Sequence, residues 1–174
     1  MNSYTKYQQL GEKGKEGTTY LVKDKYGKEY AMKTFNKKKS PKTLKNEYLL
    51  QKKASGKNIT PRVYTYDPVS KYIVMDKMDK HLYDDIKKTG IISKKQQLRI
   101  LEIFEKLDES NVFHGDANLL NYMVKNEQIY IIDFGFSKEI TPKLIKQLET
   151  NRPNYHLMTI GFILKANENH VLTN

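Results

Sequence analysis

Cysteine and tryptophan are both absent from this chain, and acidic residues are few beside basic ones. Without cysteine there are no disulfides, no thiolate nucleophile and no Cys-ligated metal. A reducing, cytoplasmic setting fits that absence without following from it. No apolar run reaches the roughly 20 residues that a membrane-spanning helix needs, so no membrane segment is expected. The opening Met-Asn-Ser-Tyr-Thr-Lys lacks the apolar core of a secretion signal, and none is expected. Against 31 Lys+Arg stand 20 Asp+Glu, a formal net charge of +11. That balance describes either a basic solvated surface or an acidic partner such as nucleic acid, an acidic protein or a phosphorylated surface. The densest basic cluster is Lys37, Lys38 and Lys39 with Lys42 and Lys45. No aromatic residue interleaves it in the manner of single-strand binders, so a solvated loop is expected and a nucleic-acid role rests on charge alone.

Hydrophobic content of 38% and aromatic content of 11% are enough for a core in one domain, or in two small lobes sharing a cleft. Strands and hairpins are expected over 6–35, a helix near 42–54, and a loop over 53–58. Two strands should follow at 63–66 and 71–75, then a short helix over 82–88. Ser93-Lys94-Lys95-Gln96 has the form of a capping box and predicts the start of a longer helix. Leu98, Leu101, Phe104 and Leu107 recur along it and are expected to face the core. Further helices are expected over 144–148 and 155–164. His156 and His170 have no partners at metal-ligand spacing and read as ordinary residues.

The stretch 114–135, HGDANLLNYMVKNEQIYIIDFG, is the most specific in the chain. His114 precedes Asp116 by two residues, Asn121 follows Asp116 by five, and the apolar run Ile129 to Ile132 leads into Asp133-Phe134-Gly135. A carboxylate, an amide oxygen and a second carboxylate in this order suit phosphoryl transfer. One accepts the proton of an attacking hydroxyl, and two hold a hard, oxygen-seeking cation. Asp-Phe-Gly alone is also an ordinary exit from a strand. Upstream, the glycine-rich segment Gly11 to Gly17 lies between two strand-like runs, where missing Cβ atoms would let backbone N–H groups approach phosphates. By itself such a segment is more often a solvated hairpin tip. Lys33, in Glu29-Tyr30-Ala31-Met32-Lys33, is a cation among apolar strand neighbours. Glu47 on the following helix is its natural partner, better placed than Glu12, Glu16 or Glu29.

Taken together, from Leu10 to Gly135, these residues resemble the protein-kinase-like superfamily. The resemblance implies an α+β, bilobal fold, with a β-rich N-lobe over 1–78 and a reduced helical C-lobe over 79–174. It implies a protein kinase that uses ATP and Mg²⁺, with Mn²⁺ as a substitute, to phosphorylate a protein, Ser/Thr in preference to Tyr. Asp116 would act on the acceptor hydroxyl. Asn121 and Asp133 would hold the metal. Lys33, held by Glu47, would orient the α- and β-phosphates. Gly11, Gly14 and Gly17 would cover the phosphates, and Met75, Asp76 and Met78 would line the adenine pocket.

Departures from the family pattern shape these expectations. The loop reads G-x-x-G-x-x-G, with Glu12 where a first glycine is usual. Gly115 replaces the arginine that reads activation-loop phosphate in regulated kinases, so constitutive competence is expected. Asn118 stands where Ser/Thr kinases place a lysine. Little chain follows Gly135, which resembles the minimal kinases of bacterial effectors and of large DNA viruses. In such a case a host partner would complete the lobe or present the substrate, in the host cytoplasm. A pseudokinase or nucleotide-dependent docking module, and a small-molecule phosphotransferase, remain alternatives.

Overall fold

A computed structural model describes residues 3–172. Strands β1 (Thr5–Leu10), β2 (Gly17–Lys23) and β3 (Glu29–Phe35) form a meander, followed by helix α1 (Pro41–Ser55). Strands β4 (Val63–Asp67) and β5 (Tyr72–Met75) complete an antiparallel sheet in the order β1-β2-β3-β5-β4. Alternation along β3 divides its side chains between the two faces. Ala31 and Phe35 pack with Leu44 and Tyr48 of α1, whereas Tyr30 and Met32 join Val22 and Val74 on the opposite face. Lys33 stands two residues from both Ala31 and Phe35, so it falls on the face that α1 covers.

Helix α1 begins at a Ser40 N-cap whose Oγ accepts the Thr43 N–H at 3.1 Å, with Pro41 in the first turn. Among its buried residues, Leu44, Glu47, Tyr48, Gln51 and Ala54 recur at three- and four-residue intervals, and Leu50 is buried beside them. The helix runs to Ser55, so the loop expected from residue 53 starts later.

After β5 the chain passes through 76–79 into the helical part. Here lie β6 (Lys80–His81), α2 (Leu82–Thr89), α3 (Lys94–Glu109), β7 (Val112–Phe113), β8 (Tyr122–Lys125), β9 (Gln128–Ile131), β10 (Lys138–Glu139), α4 (Pro142–Leu148) and α5 (Thr159–Glu168). Strands β6, β8 and β9 form a small sheet, and β7 pairs with β10. The capping box at α3 is complete: the Gln96 N–H donates to Ser93 Oγ at 3.3 Å, and the Ser93 N–H to Gln96 Oε1 at 2.8 Å. The buried face of α3 is Ile100, Ile103, Phe104 and Leu107. Leu98 is 57% exposed, contrary to expectation, and Leu101 is half-buried.

The main core gathers α3 with Leu82, Ile86, Tyr122, Phe134 and Phe162, and reaches Leu50 and Ala54 of α1. Each large apolar side chain buried there contributes roughly 1.5–3 kcal/mol. A single turn of π-helix at Asn154–Met158 leads into α5. Gly161 lets α5 lie against the loop before β8, because a Cβ there would come within 2.9 Å of Ala117 Cβ. Among the described residues no helix is long and apolar enough to cross a membrane.

Candidate active site

Lys33 lies at the centre of the site. Its Nζ donates to Glu47 Oε1 at 2.9 Å and to Asp133 Oδ1 at 3.0 Å, a partner 100 residues away along the chain. Sheet alternation and the α1 period bring Lys33 and Glu47 together, and the exit from β9 delivers Asp133. Burial pulls the Lys33 ammonium toward neutrality, but the two carboxylates outweigh it and hold its pKa above the ordinary 10.5. Burial likewise pushes Asp133 up, and Lys33 with the Gly135 N–H brings it below the ordinary 3.8. Asp133 has φ +66°, outside the usual range for a residue with a Cβ, and its Oδ1 accepts the Gly135 N–H at 3.4 Å. Phe134, fully buried, anchors this turn in the main core.

The loop from His114 to Asn121 is fixed from several sides. His114 is fully buried. Its Nε2 lies 3.0 Å from the Ile132 carbonyl, and its Nδ1 accepts the Asp116 N–H at 3.4 Å. One nitrogen donates and the other accepts, which is the pattern of a neutral imidazole. Burial lowers its pKa below 6.5 despite the nearby carbonyl and carboxylates. Asp116 is half-buried; its Oδ1 accepts the Asn118 N–H at 3.0 Å. Asn121 Nδ2 donates to the Asp116 carbonyl at 3.4 Å, and the Ile132 N–H donates to the Asn121 carbonyl at 2.9 Å. Asp116, Asn121 and Asp133 are thereby tied together by the loop and by the strand beside it. Gly115 has φ +81°, a backbone state that glycine adopts without strain and that a side-chain-bearing residue adopts only at a cost.

Sequence reading did not find Asn154, which is fully buried. Its Oδ1 accepts the His114 N–H at 2.9 Å, and its Nδ2 donates to the Val112 carbonyl at 2.7 Å and to Asp108 Oδ1 at 2.8 Å. Lys39 and Glu16 were also missed. Lys39, expected in a solvated run, is only 9% exposed. Its Nζ lies 2.7 Å from Glu47 Oε2, an ion pair without hydrogen-bond alignment, and 3.1 Å from Glu16 Oε2. No local sequence signal marks Lys39, which stands between Lys38 and Ser40; the fold places its ammonium 5.0 Å over the Phe35 ring.

The glycine-rich segment has three different glycines. Gly11 has φ +67° at the end of β1. A Cβ on Gly17 would fall 1.8 Å from the Thr34 carbonyl oxygen, so this residue is required by sheet pairing. Gly14 has room for a side chain. At the proposed adenine edge, Met75 is buried between sheet and α1, with Gln51 Nε2 at 3.6 Å from its sulfur. Asp76 commits its N–H to the Arg62 carbonyl at 2.9 Å and its carboxylate to the Tyr64 hydroxyl at 2.9 Å. What it offers a ligand is its carbonyl. Met78 is buried beside it.

The donor set fits a hard dication. With Asn121 Nδ2 turned to the Asp116 carbonyl, Asn121 Oδ1 is left as an oxygen ligand, and Asp133 Oδ2 is free of the Lys33 bond. A second carboxylate group, Glu16, Glu47 and Asp133, has oxygens within 4.8 Å of one another. Lys33 and Lys39 already offset two of its three negative charges.

A family model described as the protein kinase domain matches residues 4–156. Myosin light chain kinase A of Dictyostelium discoideum is 30% identical over 163 residues, which is 85% of this chain and 55% of that protein. A probable bifunctional tRNA threonylcarbamoyladenosine biosynthesis protein of Methanosphaera stadtmanae is 28% identical over 119 residues, 68% of this chain and 22% of that protein. A probable serine/threonine-protein kinase of Bacillus subtilis is 30% identical over 54 residues, 31% of this chain and 21% of that protein. The chain thus spans between about a fifth and about half the length of these relatives.

Proposed function

The chain belongs to the protein kinase domain family, and from that membership we propose that it transfers the γ-phosphate of ATP to a Ser or Thr hydroxyl of a protein. The observation that carries the reading is Lys33 held between Glu47 and Asp133 at 2.9 and 3.0 Å. A buried ammonium kept charged by two carboxylates is a ready partner for phosphate oxygens. In this reading the N-lobe is 1–78 and the C-lobe 79–174, with the nucleotide between them. Gly11, Gly14 and Gly17 line the phosphate side, and Met75, Asp76 and Met78 the adenine side.

Asn121 and Asp133 would hold Mg²⁺ or Mn²⁺, which when bound neutralises charge on the transferring phosphoryl group. Asp116 orients the acceptor hydroxyl and takes its proton. Asn118 and Asn121 hold Asp116 from either side. The protein mostly positions groups and offsets charge. No arginine precedes Asp116 to receive an activating phosphate, which supports constitutive competence in a cytoplasmic enzyme. A protein as substrate belongs to the same reading.

The test separates two carboxylates. Asp116→Ala should keep Mg·ATP binding in calorimetry and lose turnover, while Asp133→Ala should weaken Mg·ATP binding itself. Normal phosphorylation by both variants would refute these roles. A second reading draws on the archaeal relatives, whose names place them in tRNA threonylcarbamoyladenosine biosynthesis. It predicts that cells lacking this chain lose that nucleoside from their tRNA, as measured by mass spectrometry.

A further inference from the structure

Lys39 has no place in the scheme above, yet it is the more deeply buried of the two lysines in the site: its side chain is 7% exposed and that of Lys33 17%. It shares Glu47 with Lys33, one ammonium on each carboxylate oxygen. Its other partner, Glu16, comes from the glycine-rich segment and is 40% exposed. The Asn36 N–H holds the Glu16 carbonyl at 2.9 Å, and the Asn36 side-chain amide holds the Lys15 carbonyl at 3.1 Å. These bonds turn the Glu16 side chain inward, where its Oε2 lies 3.0 Å from where a Gly135 Cβ would stand. Its carboxylate is within 4.8 Å of those of Asp133 and Glu47. An anionic side chain therefore sits among the groups that would receive nucleotide phosphates, on a cation that has no other mobile partner.

We propose that Lys39 is a second phosphate-binding cation of this site, and that Glu16 is a resident carboxylate which nucleotide phosphate displaces from it. This inference rests on the nucleotide-binding reading of the same cleft. Lys39 keeps Glu47 throughout and exchanges Glu16 for a phosphate oxygen. An ammonium has three donors, so the exchange leaves Glu47 and Lys33 undisturbed. Glu16 then acts as an internal competitor: it lowers affinity for phosphate-bearing ligands and leaves the affinity for the bare nucleoside alone. It also fills the Lys39 site while no nucleotide is bound, which spares a buried lysine one unpaired donor.

The test compares ADP with adenosine on the full chain by calorimetry at fixed ionic strength. Glu16→Gln, a change at a half-exposed position, should tighten ADP about fivefold, the size of one partly screened charge pair, and leave adenosine unchanged. Lys39→Met should weaken ADP about tenfold with adenosine again unchanged, because charge-assisted bonds to phosphate are the stronger kind. Lys39→Arg should restore the preference for ADP, which a merely structural role for Lys39 would not predict, and thermal melts of all variants report whether they fold. An ADP-to-adenosine affinity ratio that is the same in wild type, Glu16→Gln and Lys39→Met overturns the proposal while leaving the nucleotide reading intact. Failure of the wild type to bind either ligand overturns both.

Discussion

His114 meets the protein with both ring nitrogens, and a second proton would break the bond from the Asp116 N–H to Nδ1. Its folded pKa lies below the unfolded 6.5, so the unfolded chain binds the extra proton first. Stability from this residue is present above about pH 6.5 and is lost as the pH falls through the lower folded value. Urea denaturation at pH 7.5 and 5.5 should show that decline in the wild type and a smaller one in His114→Asn. Equal declines would remove His114 as the cause. At Asp116 the expectation is kinetic. Asp116→Asn keeps the shape and the Asn118 bond, and should lower kcat by about 10²–10⁴-fold with little change in ATP affinity.

Two elements hold the loop that carries Asp116, and each can be tested. Asn154 places three hydrogen bonds in a dry interior, so Asn154→Leu leaves the His114 N–H and the Val112 carbonyl without partners. A loss of about 2–5 kcal/mol in denaturant unfolding is expected. Helix α5 approaches the same loop through Gly161. Gly161→Ala presses a methyl group against Ala117, next to Asp116, and should cost about 1–3 kcal/mol and lower kcat. Elements of this kind are only partly legible in a sequence. Hydrophobic period and the capping box gave α1 and α3 their places. The face of α3 was misjudged because Leu98, Leu101, Phe104 and Leu107 form a strict three-residue row. At 100° per residue such a row carries Leu107 about 180° round the helix from Leu98. Ile100, Ile103, Phe104 and Leu107 stay on one side, and these are the residues buried. Asn154 was illegible because an asparagine after Asn-Arg-Pro reads as a turn, and its partners lie 40 residues or more away.

At the scale of the whole molecule, the sheet supplies Lys33, α1 supplies Glu47, and the strands and loops of the helical part supply Asp116, Asn121 and Asp133. Those residues were legible because phosphoryl transfer demands particular groups at particular spacings. Lys39 and Glu16 were not, since a lysine run and a glycine-rich tip are each ordinary until the fold brings them together. The account stands on one activity, and the most direct measurement is transfer of labelled γ-phosphate from Mg·ATP, with the purified chain alone and with cell lysate, beside Asp116→Ala. The account predicts label on a discrete protein, absent with Asp116→Ala. No transfer in any condition, with ATP binding intact, would contradict it and leave a nucleotide-dependent docking module in its place.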